Sequence, residues 1–330
     1  MKKLTAIILL IFTSAFLLSC ESETGSSNAN EGICWYADRS LGWVAKVSAE
    51  GDRVLLRFLD VVEPVAVAAV PFDGSVWICD VGAHELVHID LEGQILKRVS
   101  GFAQPIALAV DPLEEDVWIV DAGTKMLTKL GPRGTIWKTY SGFANPKAVA
   151  LDNTNSDDWV ADGDNGLWKF DVDANPIAHF VGLGFVGDVS TDVDDGRVYI
   201  ADPKANRITC LSPAGDLQWV FTGETDMPLQ TPTQVRAAPG DTVWVLEVGA
   251  HRIRRVGTAG LVTLASREWD DSGNNPIAIT VDWKKDEVWV GDIERHRVIV
   301  SNKGAEAKSW VGGLGEPVSL SIYNSGLDRE

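Results

Sequence analysis

Residues 105–140 read PIALAVDPLEEDVWIVDAGTKMLTKLGPRGTIWKTY, and this stretch decides the fold. A proline opens an apolar run that ends at Asp111. A polar turn follows, and then the run Val117-Trp118-Ile119-Val120 closes on Asp121. After a short glycine-containing loop comes Leu127-Thr128-Lys129-Leu130. A glycine turn leads to a last segment, Thr135 to Tyr140. Short apolar or alternating segments of about 5 residues, separated by Gly, Pro and Asp, read as strands joined by tight turns.

The same unit recurs along the chain. Its most visible part is an aromatic residue, two apolar or small residues and an acid. It appears at Trp35-Tyr36-Ala37-Asp38, Trp77-Ile78-Cys79-Asp80, Trp118-Ile119-Val120-Asp121 and Trp159-Val160-Ala161-Asp162. It continues at Tyr199-Ile200-Ala201-Asp202, Trp244-Val245-Leu246-Glu247 and Trp289-Val290-Gly291-Asp292. The aromatics lie 42, 41, 41, 40, 45 and 45 residues apart. Four strands in about 42 residues is the size of one propeller blade. The expected fold is therefore all-β: a propeller of four-stranded antiparallel blades.

The two ends of the repeat set the blade count. The first unit begins at Cys34-Trp35 and lacks a proline-led strand, whereas Pro317-Val318-Ser319-Leu320-Ser321-Ile322 supplies one near the C-terminus. That last strand is expected to complete the first blade and close a ring of seven, which hides the sheet edges an open array would expose. A six-bladed ring with an irregular end is the alternative.

The units resemble NHL repeats, in which a Tyr/Trp strand ends in Ala-Asp and leads to Asn-His-Arg-Ile/Val. Asp202-Pro203-Lys204-Ala205-Asn206-Arg207-Ile208 fits well, as do His251-Arg252-Ile253 and His296-Arg297-Val298. His84-Glu85-Leu86 and Lys125-Met126-Leu127 match loosely. The resemblance covers about residues 32–323 and implies the propeller. It implies little about function, because this fold hosts many activities.

Ahead of the repeat lies a different kind of sequence. Lys2 and Lys3 precede an uncharged apolar run that ends Leu17-Leu18-Ser19-Cys20. A positive start, a short apolar stretch and a small residue at the cut mark a secretory signal, and the run is short for a membrane span of roughly 20 residues. The final four residues resemble the bacterial lipobox. That implies a lipoprotein with residues 1–19 as its signal peptide, and Cys20 as first mature residue, carrying a diacylglycerol thioether; an ordinary cleaved signal is the alternative. Residues 21–30 are small and polar, so 20–31 read as a flexible tether. The propeller takes 32–323, and 324–330 form a tail. Glu21 and Ser22 lack the Asp of the enterobacterial inner-membrane retention pattern, which favours the outer membrane as the site of anchoring.

Removing residues 1–19 takes two lysines with it and moves the formal charge from −18 to −20 over 311 residues. Such a balance argues against nucleic acid as a partner. Of the cysteines beyond Cys20, the three at 34, 79 and 210 lack zinc-type spacing and read as small buried residues. A Cys34–Cys79 bridge is the minor alternative. The repeated acids read as turn-closing acceptors for backbone N–H groups, and the histidines at repeat positions as architecture. The acid-rich turns at 162–166 and 192–196 lack the distal Glu of a calcium loop. No cofactor or metal is expected, with calcium at those turns the minor alternative.

Departures from the repeat point to a site. The second and fourth residues after the leading proline are small in most units: Ala66 and Ala68, Ala107 and Ala109, Ala148 and Ala150, Ala278 and Thr280, Ser319 and Ser321. These strands line the axis, where space is tight. In the fourth complete unit the second position is Asp188, and in the fifth the two positions are Gln234 and Arg236. They read either as a polar ligand site or as an Asp188–Arg236 ion pair plugging the channel, since a charge there needs a partner. The loops after these two units also lengthen, to 222–231 and 266–275. The second holds Trp269, Asp270 and Asp271, with Trp269 a candidate exposed anchor. Phe102, Phe143, Leu183 and Leu314 read as either an apolar ring on the loop face or packing beneath it.

No nucleophile–base set, phosphate loop or metal motif is present, so no catalytic residue is assigned. The leading expectation is a monomeric, lipid-anchored binding or scaffold module that presents its loop face to an envelope protein or small ligand. The alternative is an enzyme, because related propellers include metal-dependent lactonases and lyases, although their site motifs have no counterpart here.

Overall fold

The computed structural model describes residues 32–257, 262–264 and 274–324. It is a ring of seven four-stranded antiparallel sheets. Six blades are continuous in sequence, each running from an innermost proline-side strand to an outermost one. Blade 1 is composite: Pro317–Ile322 pairs with Cys34–Asp38, in the register Cys34↔Ile322 and Trp35↔Ser321. The closure is extended by Gly32 N donating to Tyr323 O at 2.8 Å and Tyr323 N to Ile33 O at 2.9 Å.

Burial follows position within the blade. Second strands such as Val76–Asp80, Val117–Asp121 and Val198–Asp202 are buried along their whole length, because neighbouring blades cover both their faces. Outermost strands such as Ile95–Ser100 are largely exposed. The repeat tryptophans are the mortar between blades. Trp35 packs in one cluster with Val67 and Ile78 of blade 2, and Trp77 with Val117 and Ile119 of blade 3. Truncating one would cost about 3–5 kcal/mol. Cys34, Cys79 and Cys210 are buried free thiols, as small apolar residues would be; the alternative bridge does not form.

The residue facing the tryptophan on the third strand is a cation or histidine in five blades, a regularity that strand pairing alone reveals. Lys46 faces Trp35, His88 Trp77, Lys129 Trp118, Lys169 Trp159 and Arg255 Trp244. The Lys129 and Lys169 ammonium groups each lie 5.1 Å from the indole centre, and His88 stacks at 4.3 Å. Each of the two cation–π contacts contributes about 0.5–2 kcal/mol. The same Lys169 Nζ donates to Pro213 O of the next blade at 2.8 Å, so the cation ties neighbouring blades together.

The acid ending each second strand is a clamp. Asp80 accepts from Val62 N and Glu63 N at 2.8 and 2.9 Å, and Asp121 from Ala103 N and Gln104 N at 2.7 and 2.8 Å. Asp38 does the same for Gly315 N and Glu316 N across the ring closure. Each carboxylate thus fixes the loop entering its own blade. His84 and His296, held at φ 56° and 52°, each donate Nδ1–H to a loop carbonyl of the following blade, Ala103 O at 2.7 Å and Gly315 O at 2.9 Å. The repeated acids, His84 and His296 are architecture.

One buried acid gives the fold a pH signature. Burial, with the Asp111 carboxylate adding to it, pushes the Asp158 carboxyl up to about 8, while burial pushes His88 down to about 4. A raised acid is protonated in the folded chain before the unfolded one, so its contribution is complete below the unfolded value and is lost as pH rises towards 8. The His88 effect has the opposite sign and ends near the unfolded value of about 6.5. Between pH 7 and 8, stability should therefore fall by up to about 1.4 kcal/mol per pH unit. Asp158→Asn should flatten that slope. Urea melts at pH 7 and 8 test this; parallel slopes in the two proteins would remove Asp158 as the cause.

Candidate ligand site in the axial channel

The innermost strand of each blade is paired on one side only, so its free edge turns alternate backbone N–H and C=O groups towards the axis. Small residues there let seven strands converge. At five of the polar second and fourth positions the side chain bonds to the free edge of the next blade. Ser319 Oγ accepts from Val67 N at 3.2 Å and Ser321 Oγ from Ala69 N at 2.9 Å. Asp188 Oδ2 accepts from Val235 N at 2.9 Å and Ser190 Oγ from Ala237 N at 3.0 Å. Gln234 Oε1 accepts from Ile279 N at 2.9 Å. The serines carried this signal in the sequence, but their small size alone already satisfied the pattern.

The structure brings Asp188, Gln234 and Arg236 together on adjacent blades. Arg236 Nη1 donates to Asp188 Oδ2 and to Val235 O, both at 2.6 Å. The expected ion pair therefore forms, yet it does not plug the ring. It borders a cavity of about 470 Å³ lined by the innermost strands of all seven blades. Arg236 keeps 32% of its side chain exposed against 11% for Asp188, and its Nε and Nη2 have no partner among the described residues. Gln234 is held at both ends, because its Nε2 also donates to Ile277 O at 3.3 Å. Lys147 and Thr233 also line the cavity, beside the serines and threonines of neighbouring innermost strands, and the buried Oγ1 of Thr233 has no partner.

Trp269, Asp270, Asp271 and Cys20 lie outside the described residues. Phe102, Phe143 and Leu314 are buried beneath the loops and Leu183 is half-buried, so they form packing and not an exposed ring. Leu41, Leu59, Val62 and Val181 are among the apolar side chains that stand exposed in the loops.

The long loop 222–231 rests on a buried charge cluster that sequence reasoning passed over. Glu247 Oε1 accepts from Arg252 Nε at 3.0 Å and Arg254 Nε at 2.8 Å. Its Oε2 accepts from Arg252 Nη2 at 2.8 Å and Gln230 N at 3.0 Å. The arginines continue outward to Pro228 O and Met227 O. The cue was Glu247 itself, the only repeat acid that is not Asp.

Among the described residues, no three His, Cys, Asp or Glu side chains gather as metal ligands. No protein-family model matches the chain, and no curated protein matches it. Solved structures do. A streptogramin B lyase matches with a TM-score of 0.67 at 18% identity, covering 78% of this chain and 86% of its own. Virginiamycin B lyase from Staphylococcus aureus matches with 0.68 at 16%, covering 80% and 92%. A functionally unknown protein from Desulfotomaculum acetoxidans matches with 0.74 at 13%, covering 90% and 100%. At these identities the likeness establishes the propeller fold.

Proposed function

We propose that this chain is a lipid-anchored envelope protein whose propeller is a binding module, with a polar small ligand held in the axial channel beside Arg236. The observation that carries the reading is the guanidinium: a cation held by Asp188 inside an open 470 Å³ cavity, with part of its donor capacity facing that space. Arg236 is a third exposed, so its free donors are accessible to a ligand from the channel.

Topology orients the module. Gly32 lies beside Tyr323, at the end of the ring where innermost strands finish and second strands begin. The proline-led strands start at the opposite end, which carries the entering loops. An anchor at Cys20 would hold the first end towards the bilayer and turn the loop face away. The intervening tether reaches at most roughly 40 Å, at about 3.3–3.6 Å per residue. The outer membrane, a monomeric ring and a protein partner on the loop face belong to the same reading.

Native mass spectrometry of protein purified from its own envelope tests the channel reading. An adduct on the wild type that is absent from Arg236→Ala is expected, whereas bare masses for both would overturn it. A lyase is the second reading, favoured by the two lyases among the similar structures. Incubation with virginiamycin B decides it: any protein-dependent change in the mass or retention of that compound would favour catalysis, and its unchanged recovery favours binding.

A further inference from the structure

We infer that the channel ligand is an anion, whose carboxylate or phosphate group seats on the free edge of Arg236 with Lys147 as the second cation. The inference rests on the binding reading above and specifies its chemistry.

The guanidinium has two usable edges. Nη1 is engaged by Asp188 Oδ2 and Val235 O. Nε and Nη2 remain, and they form an edge whose two parallel N–H groups match the spacing of two oxygens on a carboxylate or phosphate. Asp188 fixes the fork from behind, and Val235 N in turn fixes Asp188. The free edge is therefore preorganised, which lowers the ordering cost of binding.

Two further groups in the lining point the same way. Lys147 occupies the position directly after the leading proline, where other blades carry Val65, Ile106 and Val318. It lines the same cavity, and its ammonium has no partner among the described residues. Thr233 lines it too, with an unpartnered buried hydroxyl able to donate to an oxygen. The charge of the lining is two cations against Asp188 alone, inside a chain whose formal charge is −18. The acids just ahead of two leading prolines, Glu63 and Glu316, are not part of the lining, and Glu63 is held by Arg39 at 2.5 Å. A cavity of about 470 Å³ falls in the range that takes small molecules.

Isothermal titration of the purified full chain with succinate, inorganic phosphate, the neutral analogue succinamide and the cation putrescine tests this. Succinate or phosphate should bind, and Lys147→Met and Arg236→Lys should each weaken that binding by about tenfold or more, the loss of one charge-assisted contact. Arg236→Lys keeps a cation for Asp188 and so guards against misfolding, and Lys147→Met leaves the ion pair intact. Binding of succinamide as tightly as succinate, with the same dependence on Arg236, would overturn the anion assignment while leaving the binding module standing. Failure of both anions to bind at ~10 mM, a concentration that detects even millimolar affinity, also overturns it. So does anion binding that neither substitution weakens, since the site would then lie elsewhere.

Discussion

Replacing Glu247 with alanine should lower the stability of the propeller by about 3–5 kcal/mol, the cost of leaving buried charge without its partner. Glu247 is fully buried, and so is the whole Arg254 side chain; 7% of Arg252 is exposed. One carboxylate satisfies donors from both guanidinium groups and from Gln230 N. Its removal strands two cations between blades and unpins the loop 222–231 at once. Arg254 retains Glu224 at 3.2 Å, but that carboxylate is 44% exposed and compensates weakly. Guanidinium melts measure the effect. Glu247→Gln, which keeps the volume, should also lose most of this stability, because charge and not bulk holds the arginines. Replacing Glu247, Arg252 and Arg254 together by Met or Leu should recover much of the loss, since a packed apolar cluster can match a buried ion network. A loss below about 1 kcal/mol for Glu247→Ala, typical of an exposed pair, would sink this account.

Cys20→Ala should move the protein completely from the membrane to the soluble fraction without changing its melting temperature. The thiol is the strong nucleophile at which the lipid would attach. Each acyl CH₂ contributes about 0.8 kcal/mol of membrane affinity, so losing the chains removes the anchor outright. Strands of the ring run from Cys34 to Ile322, and closure uses the C-terminal strand, so the ring is complete without Cys20. Fractionation and a melt of the released protein check both halves. An aggregated product, or a variant still in the membrane pellet, would count against the lipid anchor as a separable device.

The channel reading and the anchor reading draw on different parts of the chain and stand or fall separately. Arg236 departs from the repeat in sequence, and the packing shows what it faces. Cys20 is read from its flanking residues alone.

The sequence by itself determined the number of blades, their four-strand make-up and the closure by Pro317–Ile322. These features come from contacts within one unit of about 42 residues: hairpins, turn residues and the Trp-to-acid strand. Such contacts repeat, and repetition makes a pattern legible. The clamp role of Asp38, Asp80 and Asp121 was legible for the same reason. The Asp188–Arg236 pair was legible as two neighbouring departures from the repeat, but the tertiary structure alone decided that it borders a cavity and leaves one guanidinium edge free. Asp188 and Arg236 stand 48 residues apart and meet because two innermost strands lie side by side at one height. The cation facing four of the repeat tryptophans, the serine hydroxyls on the neighbouring free edge and the arginine pair around Glu247 likewise depend on strand register or on packing. A period in sequence reports what each unit does for itself, whereas the chemistry of the channel arises where two units that broke the period were brought into contact.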